Sequence, residues 1–285
     1  MVIIGLAYDL LRTEEKLLID AARRLGHTIK PIFVPKRIEW LNNTSSSEFS
    51  DLVFVLERCV SHYRALSSAI ILEGKGVAVV NPYRTIRDCG DKLVTTTILA
   101  SKGIPVPKTV IAYSRDKAVE AARELGYPVV VKPILGSWGR FIARATTEDD
   151  LLDILDFRES MNSPHFKIHY IQQYIDKPDR DIRAFYVWGR VPVAIYRYSK
   201  RWKTNTALGG RAVRADLTDE QVELITKAGD AVGGGVLGID LMETKSGESL
   251  VGEINAVIEF RNTVQVTGYD LAGDIIKSTV EVFKR

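Results

Sequence analysis

Short apolar segments alternate with amphipathic segments along the first third of the chain. Apolar runs of strand length lie at residues 2–6, 29–34, 52–56 and 77–80. Between them, residues 17–25 and 62–75 carry apolar positions at helical spacing. Strands that alternate with helices are typical of a parallel sheet with helices on its faces. The pattern therefore predicts a small α/β domain over residues 1–86.

The rest of the chain combines helices with β-hairpins, a pattern typical of α+β units. Its apolar runs of strand length lie at residues 129–132, 170–175, 182–188, 191–198, 236–242 and 249–254. The last four of these runs form two pairs, each separated by a short turn, and they predict two hairpins. We therefore expect a central unit over residues 87–176 and a C-terminal unit over residues 177–285.

The composition restricts the classes of protein to consider. Of the 285 residues, 46% are hydrophobic and 26% are charged, which excludes a disordered chain. No apolar run approaches the roughly 20 residues of a membrane helix, and residues 1–5 lack the basic start of a signal peptide. Cys59 and Cys89 are too few for a disulfide framework or a structural zinc site, so we expect reduced thiols in the cytosol. The net charge of +3 is mild and mixed, which favours a small polyanion or an acidic protein partner over nucleic acid.

A glycine-rich segment follows the apolar run at residues 129–132. It contains Gly136-Ser137-Trp138-Gly139-Arg140, and Lys132 precedes it. Glycines let backbone amides approach a phosphate closely, and a lysine adds a compact positive charge. The segment lacks the Gly-Lys-Ser/Thr of a Walker A loop. By itself it is equally consistent with an ordinary turn.

Polar oxygens recur on the two strands predicted near the C-terminal end. Asp240 lies on one strand, and Glu253 and Asn255 lie two apart on the other, which places them on one face. If the strands pair, Asp240 joins them, and two carboxylates with one amide form the all-oxygen set that suits Mg²⁺. The alternative is a set of polar residues on a half-exposed hairpin.

The segment 197–214 is cationic. Within it lie Arg197, Lys200, Arg201, Lys203, Arg211 and Arg214, with no acidic residue, and it also contains Gly209-Gly210. A glycine pair inside a cationic segment indicates a flexible loop that closes over anions. A solvated surface loop is the simpler interpretation.

The order of these features along the chain resembles that in members of the ATP-grasp superfamily and, within it, in the RimK-like amino-acid ligases. The resemblance extends over nearly the whole chain and rests on Asp91-Lys92, Gly103-Ile-Pro-Val-Pro107, Val130-Val-Lys-Pro133 and Glu253-Ile-Asn255. It implies an ATP-grasp fold, in which an α/β domain precedes two α+β lobes that hold ATP between them. The segments at residues 61–65, 136–140, 205–210 and 259–263 are, more narrowly, similar to those of the LysX/ArgX ligases.

The resemblance also implies roles for individual residues. It implies that the following residues bind ATP: Lys92, Lys132, Gly136, Ser137, Trp138, Gly139, Arg140, Gln172, Gln173, Tyr174, Ile175, Arg183 and Asn205. It implies two Mg²⁺ ions on Asp240, Glu253 and Asn255, and catalytic roles for Arg197 and Asn205. It implies that the amino-acid substrate is contacted by Tyr63, Arg64, Arg197, Thr206, Glu259, Phe260, Arg261, Asn262 and Thr263. The chain departs from many relatives at Gln173, where they carry a glutamate.

Ligases of this family join the α-amino group of an amino acid to the C-terminal glutamate side chain of LysW, an acidic amino-group carrier protein. Those with Asn-Thr or Asn-Ser after Glu-Phe-x use α-aminoadipate in lysine biosynthesis, whereas those with Gly-Phe use glutamate. Asn262-Thr263 therefore indicates α-aminoadipate, and the family implies a homo-oligomer. The alternatives are a glutamate–LysW ligase, another RimK-like ligase, and a nucleotide-binding regulatory subunit without catalysis.

Overall fold

The N-terminal unit is a parallel sheet with helices packed on it. The computed structural model describes residues 1–42, 47–136, 139–199, 202 and 211–284. The sheet has the order β2-β1-β3-β4, and all its pairs are parallel. The elements are β1 (Ile3–Tyr8), α1 (Thr13–Arg24), β2 (Thr28–Phe33), β3 (Leu52–Glu57), α2 (His62–Gly74) and β4 (Val79–Val80). The alternating pattern of the sequence is thus confirmed as an α/β unit.

The central unit is built on an antiparallel sheet. Its elements are α3 (Tyr83–Gly90), α4 (Lys92–Ser101), β5 (Thr109–Ala112), α5 (Arg115–Leu125), β6 (Val129–Lys132), β7 (Ala143–Ala145), α6 (Glu148–Glu159) and β8 (His169–Gln173). The strand order is β5-β8-β6-β7. Ser114 caps α5, and the capping box of Thr147 and Asp150 opens α6. These local signals explain why both helices begin where the sequence predicts.

The C-terminal unit contains the predicted hairpins in one antiparallel sheet of order β11-β10-β9-β12-β13. Its elements are β9 (Arg180–Val187), β10 (Arg190–Tyr198), β11 (Arg211–Arg214), α7 (Asp219–Ala231), β12 (Val236–Glu243), β13 (Ser249–Asn255), α8 (Arg261–Thr267) and α9 (Leu271–Phe283). Arg183 and Glu253 both flank Asp240, because β9 and β13 pair with β12 on its two sides. The sheet therefore brings the ends of distant segments together.

Buried contacts tie the N-terminal unit to the C-terminal unit. One hydrophobic cluster contains Phe54 of β3, Phe260 and Ile276 of α9. Asn81 donates from Nδ2 to the carbonyls of Val236 and Ala256, at 2.6 Å each. It thereby holds together the first residue of β12 and the residue after β13, at the open end of the hairpin. Gly235 is required beside it, because a Cβ there would lie 2.1 Å from Asn81 Oδ1.

The sequence pattern missed three elements of the fold, α3, α8 and β11. The predicted division between residues 86 and 87 lies within α3, which is continuous from Tyr83 to Gly90. The β-branched residues of α8 give it a low intrinsic helix propensity, so its packing against β10 and β11 must stabilise it. Within the described residues, no helix is long and apolar enough to cross a membrane.

Candidate active site

Three oxygen-bearing side chains converge where β12 and β13 pair. Asp240 lies directly opposite Glu253, and Gly238 lies opposite Asn255. Directly opposite residues of an antiparallel pair share one face of the sheet, so the side chains of Asp240, Glu253 and Asn255 point to the same side. The register shifts immediately after Asp240, a bulge of the kind found beside active sites.

Two arginines from neighbouring strands hold Asp240. Arg183 Nη2 donates to Asp240 Oδ2 at 3.0 Å, and Arg197 Nη2 lies 3.0 Å from the same oxygen. Arg197 also forms a bidentate pair with Asp181, with distances of 2.7 Å and 2.9 Å. Burial alone would lower the pKa of Arg197, but Asp240 and Asp181 outweigh it and hold the pKa above its ordinary value. Arg197 is therefore a fixed cation beside the predicted metal residues.

A cavity of about 120 Å³ lies on one side of Glu253, between the central and C-terminal sheets. Its lining includes residues of both: Lys132, Gly139, Gln172, Gln173, Tyr174, Ile175, Lys177, Asp181, Arg197, Asp240 and Glu253. Lys132 Nζ donates to Gln172 Oε1 at 2.6 Å, which fixes it on the cavity wall. Burial lowers the pKa of Lys132 to about 8, against the opposing effect of Glu253.

Lys92 connects the glycine-rich segment to the metal residues. Its Nζ donates to the carbonyl of Gly136 at 2.7 Å and lies 3.5 Å from Glu253 Oε1. Burial alone would raise the pKa of Glu253, but Lys92, Lys132 and Arg183 outweigh it, so the pKa lies below its usual range. Glu253 is therefore ionised and available to a cation at neutral pH.

Among the described residues, five cations lie in or beside the smaller cavity: Lys92, Lys132, Lys177, Arg183 and Arg197. Three of them, Lys132, Lys177 and Arg197, line the cavity together with the carboxylates of Asp181, Asp240 and Glu253, so the lining itself is balanced in charge. Lys92 and Arg183 lie beside it, in contact with Glu253 and Asp240. The two additional cations suit the approach of a polyanion such as a nucleoside triphosphate.

The donor set fits Mg²⁺. Asn255 Nδ2 is buried without a hydrogen-bond partner, and rotation of the amide would place its oxygen there. Arg183 Nε contacts Asp240 Oδ1 without the alignment of a hydrogen bond, so this carboxylate oxygen also remains unsatisfied. Among the described residues no group of three or more His, Cys, Asp or Glu could hold a metal ion. The candidate set is instead two carboxylates and one amide, which leaves coordination positions for phosphate and water.

A second cavity, of about 380 Å³, lies on the other side of Glu253. Glu253 and Asn255 form one part of its wall, and the N-terminal unit contributes Arg12, Cys59, Val60, His62 and Tyr63 to another part. Arg183 and Glu259 also line it. Burial raises the pKa of both thiols of the chain, Cys59 and Cys89, so the cysteines at this cavity are neutral.

The structure separates several residues that the family resemblance grouped together. Arg183 lines the larger cavity and not the smaller one. Arg197 is buried and paired, so it is not part of a solvated cationic loop, which corrects that prediction. Ser137, Trp138, Asn205 and Thr206 lie outside the described residues, as does most of the segment 197–214. Arg140 is exposed and is not in either lining.

The predicted substrate residues are divided between cavity and core. Tyr63 and Glu259 line the larger cavity, whereas Phe260 and Thr263 are each 1% exposed. Phe260 packs in the hydrophobic cluster between the units, so its predicted substrate contact is replaced by a structural one. The exposed Arg64 pairs with Asp9 at 3.3 Å, and neither Arg261 nor Asn262 is among the lining residues.

Sequence patterns missed several residues at the two cavities. The family resemblance covers Lys177 and Asp181 only as part of the range 172–183, which it assigns to the adenine and ribose pocket. Alternation along β9 could have placed Asp181 on the same face as Arg183. His62, His165 and Arg12 line the larger cavity, but they carry no spacing signal, because they come from separate elements. Only the packing of the units brings them together.

Fold and site together define an ATP-grasp protein. The RimK-like ATP-grasp domain family matches residues 89–279, and the LysX preATP-grasp domain family matches residues 4–87. The chain therefore belongs to the RimK-like ATP-grasp family and carries a LysX-type N-terminal domain.

The relatives are similar over nearly the full length. The chain is 42% identical over 284 residues to the alpha-aminoadipate–LysW ligase LysX of Sulfurisphaera tokodaii, which is 99% of this chain and 100% of that one. It is 33% identical over 275 residues to the glutamate–LysW ligase ArgX of Sulfolobus acidocaldarius, 96% of each. The RimK domain ATP-grasp protein of Sphaerobacter thermophilus has the same fold, with a TM-score of 0.77 at 24% identity over 96% of this chain and 98% of that one.

Proposed function

We propose that this protein is an ATP-dependent carboxylate–amine ligase of lysine biosynthesis. It joins the α-amino group of α-aminoadipate to the side-chain carboxyl of the C-terminal glutamate of LysW. The observation that carries the proposal is the position of Glu253, which lines both cavities. The smaller cavity, which we assign to the nucleotide, and the larger cavity thus share one candidate metal residue. The similarity to the LysX of Sulfurisphaera tokodaii supports the choice of substrates.

The chemistry requires activation of the carrier, because a carboxylate has no adequate leaving group. The carrier carboxylate attacks the γ-phosphorus of ATP, ADP leaves, and an acyl phosphate forms. The α-amine then attacks the acyl carbon, the amine loses a proton, and phosphate departs with the C–O bonding electrons. Mg²⁺ on Asp240, Glu253 and Asn255 would offset charge on the phosphoryl oxygens. The expected number of ions is two.

The chain's own side chains orient and neutralise the reacting groups. Lys132 and Lys177 supply positive charge on the wall of the smaller cavity. Lys92 links the glycine-rich segment to Glu253, so it couples the position of that segment to the metal residues. Arg197, held in place by Asp181 and Asp240, supports charge stabilisation on the transferred phosphoryl group and the oxyanion.

Gly136–Ile142 and the segment 199–214 are proposed to cover the phosphates and exclude water, since an acyl phosphate hydrolyses readily. Asn205 and Thr206 are proposed to act at the reacting groups. The division into units at residues 1–86, 87–176 and 177–285, a cytosolic location and a homo-oligomeric state remain predictions from the sequence.

A single incubation tests the proposal. The protein is mixed with ATP, Mg²⁺ and either α-aminoadipate, glutamate or a panel of other amino acids, with and without LysW. We expect ADP release and a mass increase of the carrier only when LysW and α-aminoadipate are both present. Release with glutamate alone as co-substrate would support an ArgX-type ligase. Release without LysW would indicate another RimK-like ligase, and no release under any condition would indicate a regulatory subunit.

A further inference from the structure

The larger cavity has one cationic wall that the proposed mechanism does not use. Among the described residues that line it, the two arginines are Arg12 and Arg183. Arg183 is committed to Asp240, with Nη2 at 3.0 Å from Oδ2. Arg12 belongs to the N-terminal unit and lines the cavity together with Glu259. A dicarboxylic amino acid needs a cation at the end that does not react.

The guanidinium of Arg12 is held by the buried Glu15, on the side away from the cavity. Its Nε donates to Glu15 Oε2 at 3.0 Å, and its Nη2 donates to Glu15 Oε1 at 2.8 Å. Glu15 is completely buried and also accepts from Arg58 Nε at 3.0 Å. Arg58 in turn donates to the carbonyl of Ile258 at 2.6 Å, one residue before Glu259. This network fixes the guanidinium relative to the segment that lines the cavity.

The remaining edge of the guanidinium is only loosely occupied. Arg12 Nη1 lies 3.4 Å from Glu259 Oε1, longer than its two bonds to Glu15. The side chain of Glu259 is 47% exposed, so this contact is weakened by solvent, whereas Arg12 is 15% exposed. A substrate carboxylate can therefore replace Glu259 on Nη1 without disturbing the buried pair with Glu15.

We propose that Arg12 binds the distal carboxylate of the amino-acid substrate and thereby determines that the substrate is a dicarboxylate. The inference rests on the proposed function and deepens it. The amino group lies toward Glu253 and Asn255, and the distal carboxylate lies toward Arg12, so the cavity takes the substrate lengthwise. Charge-assisted hydrogen bonds from an arginine are strong and geometrically specific, which makes the distance between the two ends a constraint on chain length.

The position of Arg12 also connects Asn262-Thr263 to the cavity, although neither residue lines it. The backbone N–H of Arg261 donates to Glu14 Oε1 at 3.2 Å, and Glu14 is the neighbour of Glu15. The start of α8 is therefore attached to the same turn of α1 that holds Arg12. A change at residues 262–263 can shift Arg12 relative to the metal residues and so alter the chain length that fits.

The test compares a substrate that has the distal carboxylate with one that lacks it. Wild type and Arg12→Gln are assayed with LysW, ATP and either α-aminoadipate or norleucine, which ends in a methyl group. We expect Arg12→Gln to lower kcat/KM for α-aminoadipate about 100-fold, equivalent to about 2.7 kcal/mol, and to change the value for norleucine less than threefold. Where norleucine turns over too slowly, its inhibition constant against α-aminoadipate replaces kcat/KM.

Two further variants separate binding from folding. Arg12→Lys keeps the charge and should recover part of the preference for the dicarboxylate. Arg24→Gln removes a cation at the other end of α1, where Arg24 bridges to Asp270 at 2.7 Å outside both cavities, and should behave as wild type. An equal loss with both amino acids in Arg12→Gln would show that Arg12 acts on the fold or on a group that both substrates share, and would overturn the inference, as would full activity with α-aminoadipate.

The inference and the proposed function can fail separately. If wild type ligates no amino acid to LysW, the proposed function fails. Calorimetric binding of α-aminoadipate and norleucine to the full-length protein with Mg²⁺ and ADP then decides the inference. Selective loss of α-aminoadipate binding in Arg12→Gln supports it, and equal affinities of the variant and wild type contradict it.

Discussion

The two cavities that meet at Glu253 are built in different ways. The smaller one is lined mainly from regular strands and their immediate ends, including β6, β8, β10, β12 and β13. The larger one is lined mostly from loops and helix starts of the N-terminal, central and C-terminal units. Strand ends hold lysines and carboxylates at fixed spacing, which suits the constant geometry of a triphosphate. The larger cavity depends on how three units pack, whereas the smaller one lies between two sheets.

This contrast indicates where substrate specificity can change. Under the proposed function, a substitution at the smaller cavity disturbs charges that every nucleotide-dependent step needs. The part of the larger cavity that contains Arg12 and Glu259 lies outside the strands, so its shape can change with less effect on the sheet. We therefore expect substitutions at the smaller cavity to cause large losses of catalysis, and substitutions at the larger cavity to change the ratio of kcat/KM between amino-acid substrates.

The largest expected effect is at the residue that the cavities share. Glu253→Gln removes the charge of a candidate metal ligand and should reduce kcat by roughly 100- to 1,000-fold, as for loss of one electrostatic stabiliser in other enzymes. The melting temperature should change little, because the side chain keeps its volume and is 30% exposed. Glu248→Gln, at the exposed turn of the same hairpin, is the matched control. A fully active Glu253→Gln would remove the metal assignment.

The second effect concerns the choice between α-aminoadipate and glutamate, which differ by one methylene. Wild type should prefer α-aminoadipate in kcat/KM, and Asn262-Thr263→Gly-Phe should shift the ratio toward glutamate by about tenfold, or 1.4 kcal/mol. Thr263 is 1% exposed, so phenylalanine there must displace packed neighbours, and the melting temperature has to be measured alongside.

Thr263→Val tests the same position without the added volume. It removes only the hydroxyl and should shift the ratio in the same direction, by a smaller factor. A wild type that prefers glutamate would contradict the substrate assignment and leave the ligase assignment intact. An unchanged ratio in both variants would place the discrimination elsewhere in the larger cavity.

The third effect is a pH dependence confined to the smaller cavity. Because burial lowers the pKa of Lys132 to about 8, the free enzyme loses this charge as the pH rises through about 8. The value of kcat/KM for ATP should fall severalfold over this range. In Lys132→Arg the charge persists, since a guanidinium is not deprotonated in proteins, and the fall should move to higher pH. Identical pH profiles for the two proteins would show that Lys132 does not cause the fall of kcat/KM.

The smallest expected effect is electrostatic attraction of the acidic carrier. Exposed charges are screened beyond about 10 Å at 0.1 M salt, so KM for LysW should rise a fewfold with ionic strength, and more steeply than KM for the amino acid. KM for ATP is measured in the same series, because the triphosphate could respond similarly. Equal slopes for carrier and amino acid would contradict this mode of docking.

Two exposed arginines of β11 supply the variants for this experiment. Arg211→Gln and Arg214→Gln should flatten the salt dependence of KM for LysW, since both side chains face solvent at the end of the cationic segment. Arg123→Gln, an exposed arginine paired with Glu148 on the central unit, is the control. A slope that the β11 variants leave unchanged would move the docking surface away from this segment.

Sequence patterns predicted most strands of the smaller cavity and grouped its three candidate metal residues. Alternation of apolar and polar positions predicted the strands, and Thr147 and Thr218 marked helix starts through their capping boxes. Asp240, Glu253 and Asn255 could be grouped in advance, because alternation along a strand and antiparallel pairing fix which side chains share a face. Such information is local to one strand or one hairpin, whereas the position of Lys132 beside these residues depends on how the central and C-terminal units pack.

The lining of the larger cavity depends on contacts between units that no sequence pattern indicates. Arg12 and Glu259 are 247 residues apart, and no periodicity relates them. Phe260 and Thr263 belong to a segment that resembles a substrate site, yet they are buried, because α8 packs against β10 and β11 while Phe260 fills the core between units. Contacts between distant segments depend on how whole units bury their apolar faces against one another. A sequence motif therefore does not predict that packing.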